Sequence, residues 1–312
     1  MIDNFSEINA SKANFDSIYS MPDPRAYFSI LGALDYMIPD IAEPVSRQIL
    51  AACAQQKQRR LRVIDVGCSY GINAAVHRFP LNFDTLRRRY ACHEIATLSP
   101  DELMRMDRNY FTSWPETGIA DFIGLDISEP AVTYAKTAGL LRDGVIADLE
   151  NHAITPQQAK IVSQADVILS TGCVGYVTEK TYSQLLDAMP RLPWVVSFVL
   201  RMFPYDRFEA TMASYGLVTE KLTSATFVQR RFRDEDEFEG TLQTLTQLGI
   251  DPTGFEADGL WHAELYLSRP AEDVRTMSLD DIVTVTSGRN RPTGARYVRV
   301  ETGNGLQVAI EP

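Results

Sequence analysis

The sequence predicts an α/β protein built on a mostly parallel sheet with helices on both faces. Strand-sized apolar segments alternate with helix-forming segments between about residues 62 and 200, which is typical of successive β-α-β units. Two of the strands, Asp166 to Ser170 and Trp194 to Leu200, are almost wholly apolar. A strand of that kind is expected where helices cover both sides of a sheet.

The elements follow one another in a regular order. Strands are predicted at Arg62 to Val66, Asp121 to Ile127, Gly144 to Ala147, Asp166 to Ser170 and Trp194 to Leu200. Helices are predicted between them at Glu129 to Ala138, Pro156 to Ser163 and Glu179 to Met189. Beyond them we expect helices at Tyr205 to Tyr215 and Glu235 to Leu248, and strands at Leu217 to Leu222, Thr226 to Phe232 and Trp261 to Leu267.

Three regions are expected along the chain. Residues 1–60 form a helical, aromatic N-terminal lid region, residues 61–270 the main domain, and residues 271–312 a tail with a β-hairpin around Thr302 to Gly305. Asp65 and Asp126 end the first two strands but lie 126 − 65 = 61 residues apart. A β-α-β step needs about 30 residues. An insertion at about residues 79–118 is therefore expected, either as a substrate wall or as a surface subdomain that only adds stability.

The segment Asp65 to Gly71 is the most informative part of the sequence. Gly67 and Gly71 flank a short turn between a strand and a helix, and glycines let the backbone turn tightly and approach a ligand. The free N–H groups of the following helix start face the same place. This segment therefore predicts a small-molecule cofactor site at the end of the first strand.

Two residues of this segment argue against a dinucleotide. Ser69 stands where a dinucleotide-binding turn has its middle glycine, which admits the pyrophosphate. Asp65 precedes the first glycine, and its carboxylate would repel a pyrophosphate but attract a cationic amino-acid group. A cofactor with a positive end fits this segment better.

Four segments then occur in a fixed order: Asp65-Val66-Gly67…Gly71, Gly124-Leu125-Asp126-Ile127-Ser128, Ala147-Asp148-Leu149 and Asp166-Val167-Ile168-Leu169-Ser170-Thr171-Gly172. With these segments the chain resembles the class I S-adenosylmethionine-dependent methyltransferases over about residues 60 to 270. The resemblance implies a Rossmann-like fold with a mostly parallel seven-stranded sheet, a helical N-terminal lid and an inserted helical segment. It implies S-adenosylmethionine as the cofactor.

The resemblance also assigns the cofactor contacts. The loop residues Asp65, Gly67, Cys68 and Gly71 would pack against the methionine moiety. Asp126, with Ile127 beside it, would hold the ribose hydroxyls, since a carboxylate accepts two hydrogen bonds. Asp148 would face the adenine amine and Leu149 the adenine ring, and Ser170 and Thr171 would line the floor near the sulfonium. The alternative for Asp126 and Asp148 is a helix-capping role.

A narrower resemblance concerns the reaction. The segments that carry it are Cys68 to Ala75, Tyr19 with Asp23 to Tyr27, Gly172 to Tyr176 and Leu265 to Pro270. They resemble a bacterial subfamily of methyltransferase-like proteins, many of which serve natural-product pathways. Some similar proteins cyclise S-adenosylmethionine to azetidine-2-carboxylate and release methylthioadenosine. Methyl transfer to a small molecule, cyclisation and cofactor binding without turnover all remain open.

The candidate catalytic residues follow the fourth and fifth strands. Displacement at a sulfonium needs alignment more than a dedicated base, so no catalytic dyad is expected. Tyr176 would face the sulfonium with its ring or donate its hydroxyl, or it only packs. Arg201 would grip a substrate carboxylate, or it forms a surface ion pair; Tyr205 lies beside it. Tyr27 and Tyr36 would contact the methionine carboxylate, or they pack against the sheet edge.

Composition narrows the possible partners. The net charge is 30 − 41 = −11, and an acidic chain is a poor nucleic-acid binder because phosphate contacts need clustered Lys and Arg. No apolar run is long enough to cross a membrane, and no signal peptide is evident. The four cysteines lack CxxC spacing, so we expect reduced thiols, no metal site and a cytoplasmic protein. The oligomeric state stays open.

Overall fold

A ten-stranded sheet organises the part of the chain that the computed structural model describes, residues 5–285 and 296–311. Its strands are β1 (Leu61–Val66), β2 (Ala120–Asp126), β3 (Asp143–Ile146), β4 (Val167–Thr171), β5 (Trp194–Leu200), β6 (Leu217–Lys221), β7 (Thr226–Arg231), β8 (Leu260–Pro270), β9 (Arg296–Thr302) and β10 (Gly305–Glu311).

The strand order makes this a doubly wound α/β fold, which confirms the predicted class. The order is β3-β2-β1-β4-β5-β8-β7-β10-β9, and β6 pairs with β8 beside β7. Strands β1 to β5 are parallel, whereas β8 runs antiparallel to β5, β6 and β7. The connections from β1 and β4 run in opposite directions across the sheet. A crevice for a ligand opens at the carboxyl ends of such neighbouring strands.

The predicted count of seven strands is wrong. Strand β8 is 11 residues long, so it has room for both β6 and β7 along one edge. The predicted hairpin also joins the sheet, because β10 pairs in parallel with β7 at Gln307 and Val308. The tail therefore extends the sheet of the main domain.

Fifteen helices accompany the sheet in the described ranges. They are α1 (Phe5–Asn9), α2 (Asp16–Tyr19), α3 (Arg25–Ala33), α4 (Ile38–Lys57), α5 (Ile72–Arg78), α6 (Phe83–Tyr90), α7 (His93–Ala96), α8 (Pro100–Ser113), α9 (Glu129–Thr137), α10 (Pro156–Val162), α11 (Glu179–Asp187), α12 (Asp206–Ser214), α13 (Glu235–Gln247), α14 (Ala271–Thr276) and α15 (Leu279–Ile282). Every residue of β5 is buried, as expected for a strand covered on both faces.

The N-terminal region divides into two parts. Helix α4 packs against β1, β4, β5 and β7, and its Ile49, Leu50 and Cys53 side chains are buried in the common core. Residues 5–37, with the short helices α1 to α3, lie at the carboxyl edge of the sheet instead, because Tyr70 and Ser128 hold them there through hydrogen bonds. Of the predicted lid region, residues 5–37 can therefore form a lid, whereas α4 cannot because it belongs to the core.

The insertion between α5 and β2 is fixed to the main domain by a buried acid. Helices α6, α7 and α8 make up this insertion, and the carboxylate of Asp107 on α8 is fully buried. It accepts hydrogen bonds from the Arg89 guanidinium at 2.6 Å and from the hydroxyls of Tyr90 and Tyr134 at 2.9 and 2.6 Å. Because Tyr134 belongs to α9, one carboxylate joins the insertion to the helix that follows β2.

We predict that Asp107→Ala lowers the free energy of unfolding by about 3 kcal/mol, because it leaves a half-buried guanidinium and two buried phenols without their acceptor. Urea unfolding followed by circular dichroism measures this change. Asp101→Ala, on the exposed side of the same helix, is the control and should lower the free energy of unfolding much less. Equal losses in the two variants would contradict the role given to Asp107.

Candidate active site

The loop after β1 is held in an unusual backbone conformation. Gly67, Ser69 and Gly71 have φ angles of 71°, 47° and 81°, and a positive φ is strained for a serine. A Cβ on Gly67 would lie 2.6 Å from the Cβ of Cys173, so only glycine fits there. These features turn the chain sharply from β1 into α5, where the first backbone N–H groups of a helix lack partners within the helix.

Asp126, at the end of β2, holds this loop in place. Its Oδ2 accepts the Ser69 backbone N–H at 2.8 Å, and its Oδ1 accepts the Ser128 N–H at 2.9 Å. Burial raises the pKa of this half-buried acid. Each carboxylate oxygen retains capacity for a further donor such as a ligand hydroxyl. Next to it, the Ile127 side chain is 68% exposed and offers an apolar surface.

Asp65 carries a buried oxygen that no described residue satisfies. The side chain is fully buried, and its Oδ1 accepts the Asn73 amide at 2.8 Å. The same amide donates to the Thr171 hydroxyl at 2.9 Å. The other oxygen, Oδ2, has no hydrogen-bond partner among the described residues. Burial raises the pKa of Asp65 to about 7. An unpaired buried carboxylate oxygen is costly, so this atom is a candidate contact for a cationic ligand group.

The end of β4 is tied to the loop after β1 by a cysteine. The Cys173 thiol lies 3.0 Å from the Ser170 hydroxyl and donates to the Val66 carbonyl at 3.1 Å. Burial raises the pKa of Cys173 to about 12, so the thiol stays neutral. Ser170 is buried and Thr171 half-buried at this junction. The structure therefore brings the predicted floor residues together with the cofactor loop.

The remaining predicted contacts occupy structural positions beside this loop. Asp148 caps the turn after β3: its carboxylate accepts the backbone N–H groups of Glu150 and Asn151 at 3.1 and 3.2 Å and the Asn151 amide at 2.8 Å. These hydrogen bonds lower the pKa of Asp148, the Asn151 amide contributing most. Leu149 and Cys68 are buried. Their contacts with adenine or methionine stay predictions.

Aromatic residues of the N-terminal segment close over the loop. The Tyr27 ring lies 5.9 Å from Tyr19, 6.3 Å from Tyr36 and 5.7 Å from Tyr70, measured between centroids. Tyr70, in the loop, donates its hydroxyl to the carbonyls of Ile18 and Met21, each at 2.8 Å. Burial raises the pKa of Tyr19, Tyr27 and Tyr36, so their phenols are neutral hydrogen-bond donors.

Tyr176 lies where the N-terminal segment meets the loop after β4. Its side chain is 54% exposed, and the ammonium of Lys12 lies 4.1 Å from its ring centroid. Both residues line a cavity of about 530 Å³ that also contacts α1 and Glu150. Tyr176 is thus placed at an opening between the loop and solvent.

The contacts of Arg201 and Tyr205 do not support catalytic roles for them. The Arg201 guanidinium pairs with Glu256 at 2.5 Å and donates to the Asp251 carbonyl at 2.9 Å, so it is not free to bind a carboxylate. Tyr205 is buried, and its ring stacks on Tyr266 at 4.1 Å. The chain turns after β5 towards β8 and α12, which carries both side chains into a different cavity, of about 490 Å³.

Sequence reasoning missed a charged cluster beneath the N-terminal segment. Arg230 on β7 forms a two-pronged ion pair with Glu237 on α13, at 2.6 and 2.8 Å. Glu237 also accepts the Ala13 backbone N–H at 2.7 Å, next to Lys12. Arg230 and Glu237 lie more than 200 positions from Lys12 and Ala13 in the chain, and no local motif marks the cluster. Lys12 itself is a lone lysine in a polar segment, which gives no signal in a sequence.

Comparisons with known proteins reach the fold only. No protein-family model matches the chain, and no curated protein matches it. Solved structures that it resembles include the plantazolicin methyltransferase BpumL with a pentazolic desmethylPZN analog and SAH (14% identity, 85% of this chain, 98% of that chain, TM-score 0.42), the magnesium protoporphyrin IX methyltransferase ChlM from Synechocystis PCC 6803 with bound SAM (12%, 85%, 90%, 0.38) and the 4+2 cyclase SpnF (11%, 72%, 80%, 0.36). Because these TM-scores are low, the fold assignment rests on the strand order described above.

Two further observations apply to residues 5–285 and 296–311. No cluster of three or more His, Cys, Asp or Glu side chains is arranged to hold a metal ion there. Nor does any helix of these ranges have the length and apolar character needed to cross a bilayer.

The raised pKa of Asp65 predicts an unusual pH dependence of stability. The unfolded state loses this proton near pH 4 and the folded state near pH 7, so rising pH destabilises the fold between these values. The free energy of unfolding of Asp65→Asn, taken relative to that of wild type, should therefore rise by roughly 1.4 kcal/mol per pH unit between about pH 5 and 7. Urea unfolding at pH 5, 6, 7 and 8 tests this. Asp101→Asn is the exposed control, and a constant difference between wild type and Asp65→Asn would contradict the assignment.

Proposed function

We propose that the chain is an S-adenosylmethionine-dependent enzyme that transfers the methyl group to a small-molecule acceptor. The observation that carries this proposal is the unpaired Oδ2 of Asp65, a buried carboxylate oxygen beside a glycine loop at the switch point of the sheet. The α-ammonium group of S-adenosylmethionine is a cation that suits this oxygen, whereas a pyrophosphate would be repelled. A role in natural-product synthesis follows from the resemblance of the sequence.

The other residues fit the remaining parts of the cofactor. Asp126 retains acceptor capacity for the ribose hydroxyls, and Ile127 offers an exposed apolar face for the adenine ring. Tyr27 and Tyr36 supply neutral phenol donors for the methionine carboxylate. S-adenosylmethionine supplies a methyl carbon that its sulfonium already activates. The chain then has to orient the acceptor, exclude water and receive a proton.

The closure of the site favours a second candidate, cyclisation of S-adenosylmethionine itself to azetidine-2-carboxylate. Tyr27 is buried and Tyr36 half-buried over the loop, and Arg201, predicted to bind an acceptor, faces a different cavity. An intramolecular reaction needs no acceptor pocket, because the nucleophile is the amine of the same molecule. The cavity of about 530 Å³ beside Tyr176 favours methyl transfer, since it offers an acceptor a way in.

We predict that Asp126→Ala weakens S-adenosylmethionine binding at least tenfold, about 1.4 kcal/mol or more. The change removes the ribose acceptor and also releases the Ser69 N–H. Isothermal titration calorimetry with the purified protein measures it. Asp121→Ala, at the opposite end of the same strand, should leave the affinity unchanged. An unchanged affinity in Asp126→Ala would show that Asp126 does not contact the cofactor.

Products distinguish the candidate functions. We expect no turnover of S-adenosylmethionine alone and formation of S-adenosylhomocysteine when a cell extract supplies the acceptor, as chromatography with mass spectrometry would show. Methylthioadenosine and a cyclic amino acid from S-adenosylmethionine alone would establish cyclisation instead. Calorimetric binding without either product would indicate a protein that senses or sequesters the cofactor.

A further inference from the structure

Lys12 is a lysine without a carboxylate partner at the edge of the proposed cofactor site. It follows α1, and its side chain is half-buried. Its ammonium lies 4.1 Å from the centroid of the Tyr176 ring and 5.2 Å from that of Phe203. Within the described ranges Lys12 forms no ion pair, whereas Lys136 and Lys221 pair with acids at 2.7 Å.

The surroundings of Lys12 disfavour its charged form. The positive charge of Arg230 on β7 disfavours the Lys12 ammonium, whereas the carboxylate of Glu237 on α13, which pairs with Arg230 through two hydrogen bonds, favours it by a smaller amount. The Cys173 thiol, which faces it from the loop after β4, is neutral. Burial, followed by the charge of Arg230, lowers the pKa of Lys12 to about 7.

Two further acids line the same cavity. The Glu150 carboxylate is occupied by the Thr178 N–H at 2.9 Å and by the hydroxyls of Thr178 and Thr181 at 2.7 and 2.5 Å. Asp16 is exposed at the start of α2, where it accepts the Asn14 amide at 2.9 Å. Among the described residues, neither of these two acids forms an ion pair with Lys12.

The backbone fixes Lys12 next to the cofactor loop. Glu237 accepts the N–H of the neighbouring Ala13, and the Asn9 amide donates to the Gly175 carbonyl at 2.5 Å. The loop after β4 that carries Gly175 also carries Cys173, whose thiol donates to the Val66 carbonyl just before Gly67. Lys12 therefore lies between the loops after β1 and β4 on one side and the cavity of about 530 Å³ on the other.

We propose that Lys12 is the proton acceptor of the displacement reaction, an inference that rests on the proposed function. The nucleophile is a protonated amine or a hydroxyl, in the acceptor or in the cofactor itself. Its N–H or O–H bond breaks and the proton passes to the lone pair of Nζ. The nucleophile then forms its bond to carbon, the carbon–sulfur bond breaks, and that electron pair stays on sulfur. The proton leaves to solvent through the cavity.

The charge of the sulfonium is expected to affect the protonation of Lys12. A sulfonium close to Lys12 repels an ammonium and so favours the neutral amine, which is the form that can accept a proton. After the displacement the sulfur is neutral, and the ammonium of Lys12 is no longer opposed by it. S-adenosylmethionine should therefore lower the pKa of Lys12 more than S-adenosylhomocysteine does.

The test is a nuclear magnetic resonance titration of the full chain labelled with ¹³C at the lysine ε carbons. The chain has six lysines, Lys12, Lys57, Lys136, Lys160, Lys180 and Lys221. Two variants, Lys12→Met and Lys12→Arg, identify the Lys12 signal because each lacks it. Lys12→Arg keeps a long cationic side chain and therefore serves if Lys12→Met does not fold. We expect a midpoint near pH 7 for Lys12 in the free protein, and the exposed Lys160 serves as the internal control.

Excess S-adenosylmethionine should move the Lys12 midpoint at least about one pH unit below its value with S-adenosylhomocysteine. A midpoint that coincides with that of Lys160, or that is equal with the two ligands, would overturn the proposal while leaving cofactor binding intact. A midpoint raised by S-adenosylmethionine would also overturn it, since Lys12 would then hold an anionic group. Absence of any spectral change with either ligand would instead reject the cofactor site, and the proposal with it.

Discussion

The hydrogen bond from the Ser69 backbone to Asp126 is the interaction on which the site depends. It couples the loop after β1 to the end of β2, and it holds a serine at a φ of 47°, where a non-glycine residue is strained. Gly67 completes the turn because Cys173 leaves no room for a side chain there. The switch point of the sheet becomes a ligand site only because these contacts fix the loop between two parallel strands.

Closure of the site depends on contacts that are distant in sequence. Tyr70 and Ser128 hold the N-terminal segment by its carbonyls from the side of the sheet, and Glu237 holds it by the Ala13 N–H from α13. Glu237 is itself oriented by Arg230. The segment thus covers the loop through its backbone, which leaves Lys12 and the tyrosines free to face the interior. The segment and Tyr176 together line the cavity of about 530 Å³.

The sequence predicted the parts of the fold that depend on local pattern. Strand β5 has the bounds that its apolar run predicted, and the Asp65, Asp126 and Ser170 positions do meet at one edge, because parallel strands end together. For Arg201 the sequence left substrate binding and an ion pair open, because the turn after β5 that points this side chain to Glu256 cannot be read from a local pattern. Lys12 and Arg230 were missed because their proximity is a product of tertiary packing alone. The number of strands was wrong because edge pairing has no local signature.

Asp65 and Lys12 together favour a ligand that is positive at one end and loses that charge in the reaction. Asp65 is buried and one of its oxygens has no partner among the described residues, so a cation beside it would favour its anion. Lys12 lacks an acidic partner, so its neutral form is favoured beside that same cation. A neutral ligand would not shift either equilibrium in this direction. We expect a cationic ligand to favour the Asp65 carboxylate, which can bind its ammonium, and the neutral amine of Lys12, which can accept a proton.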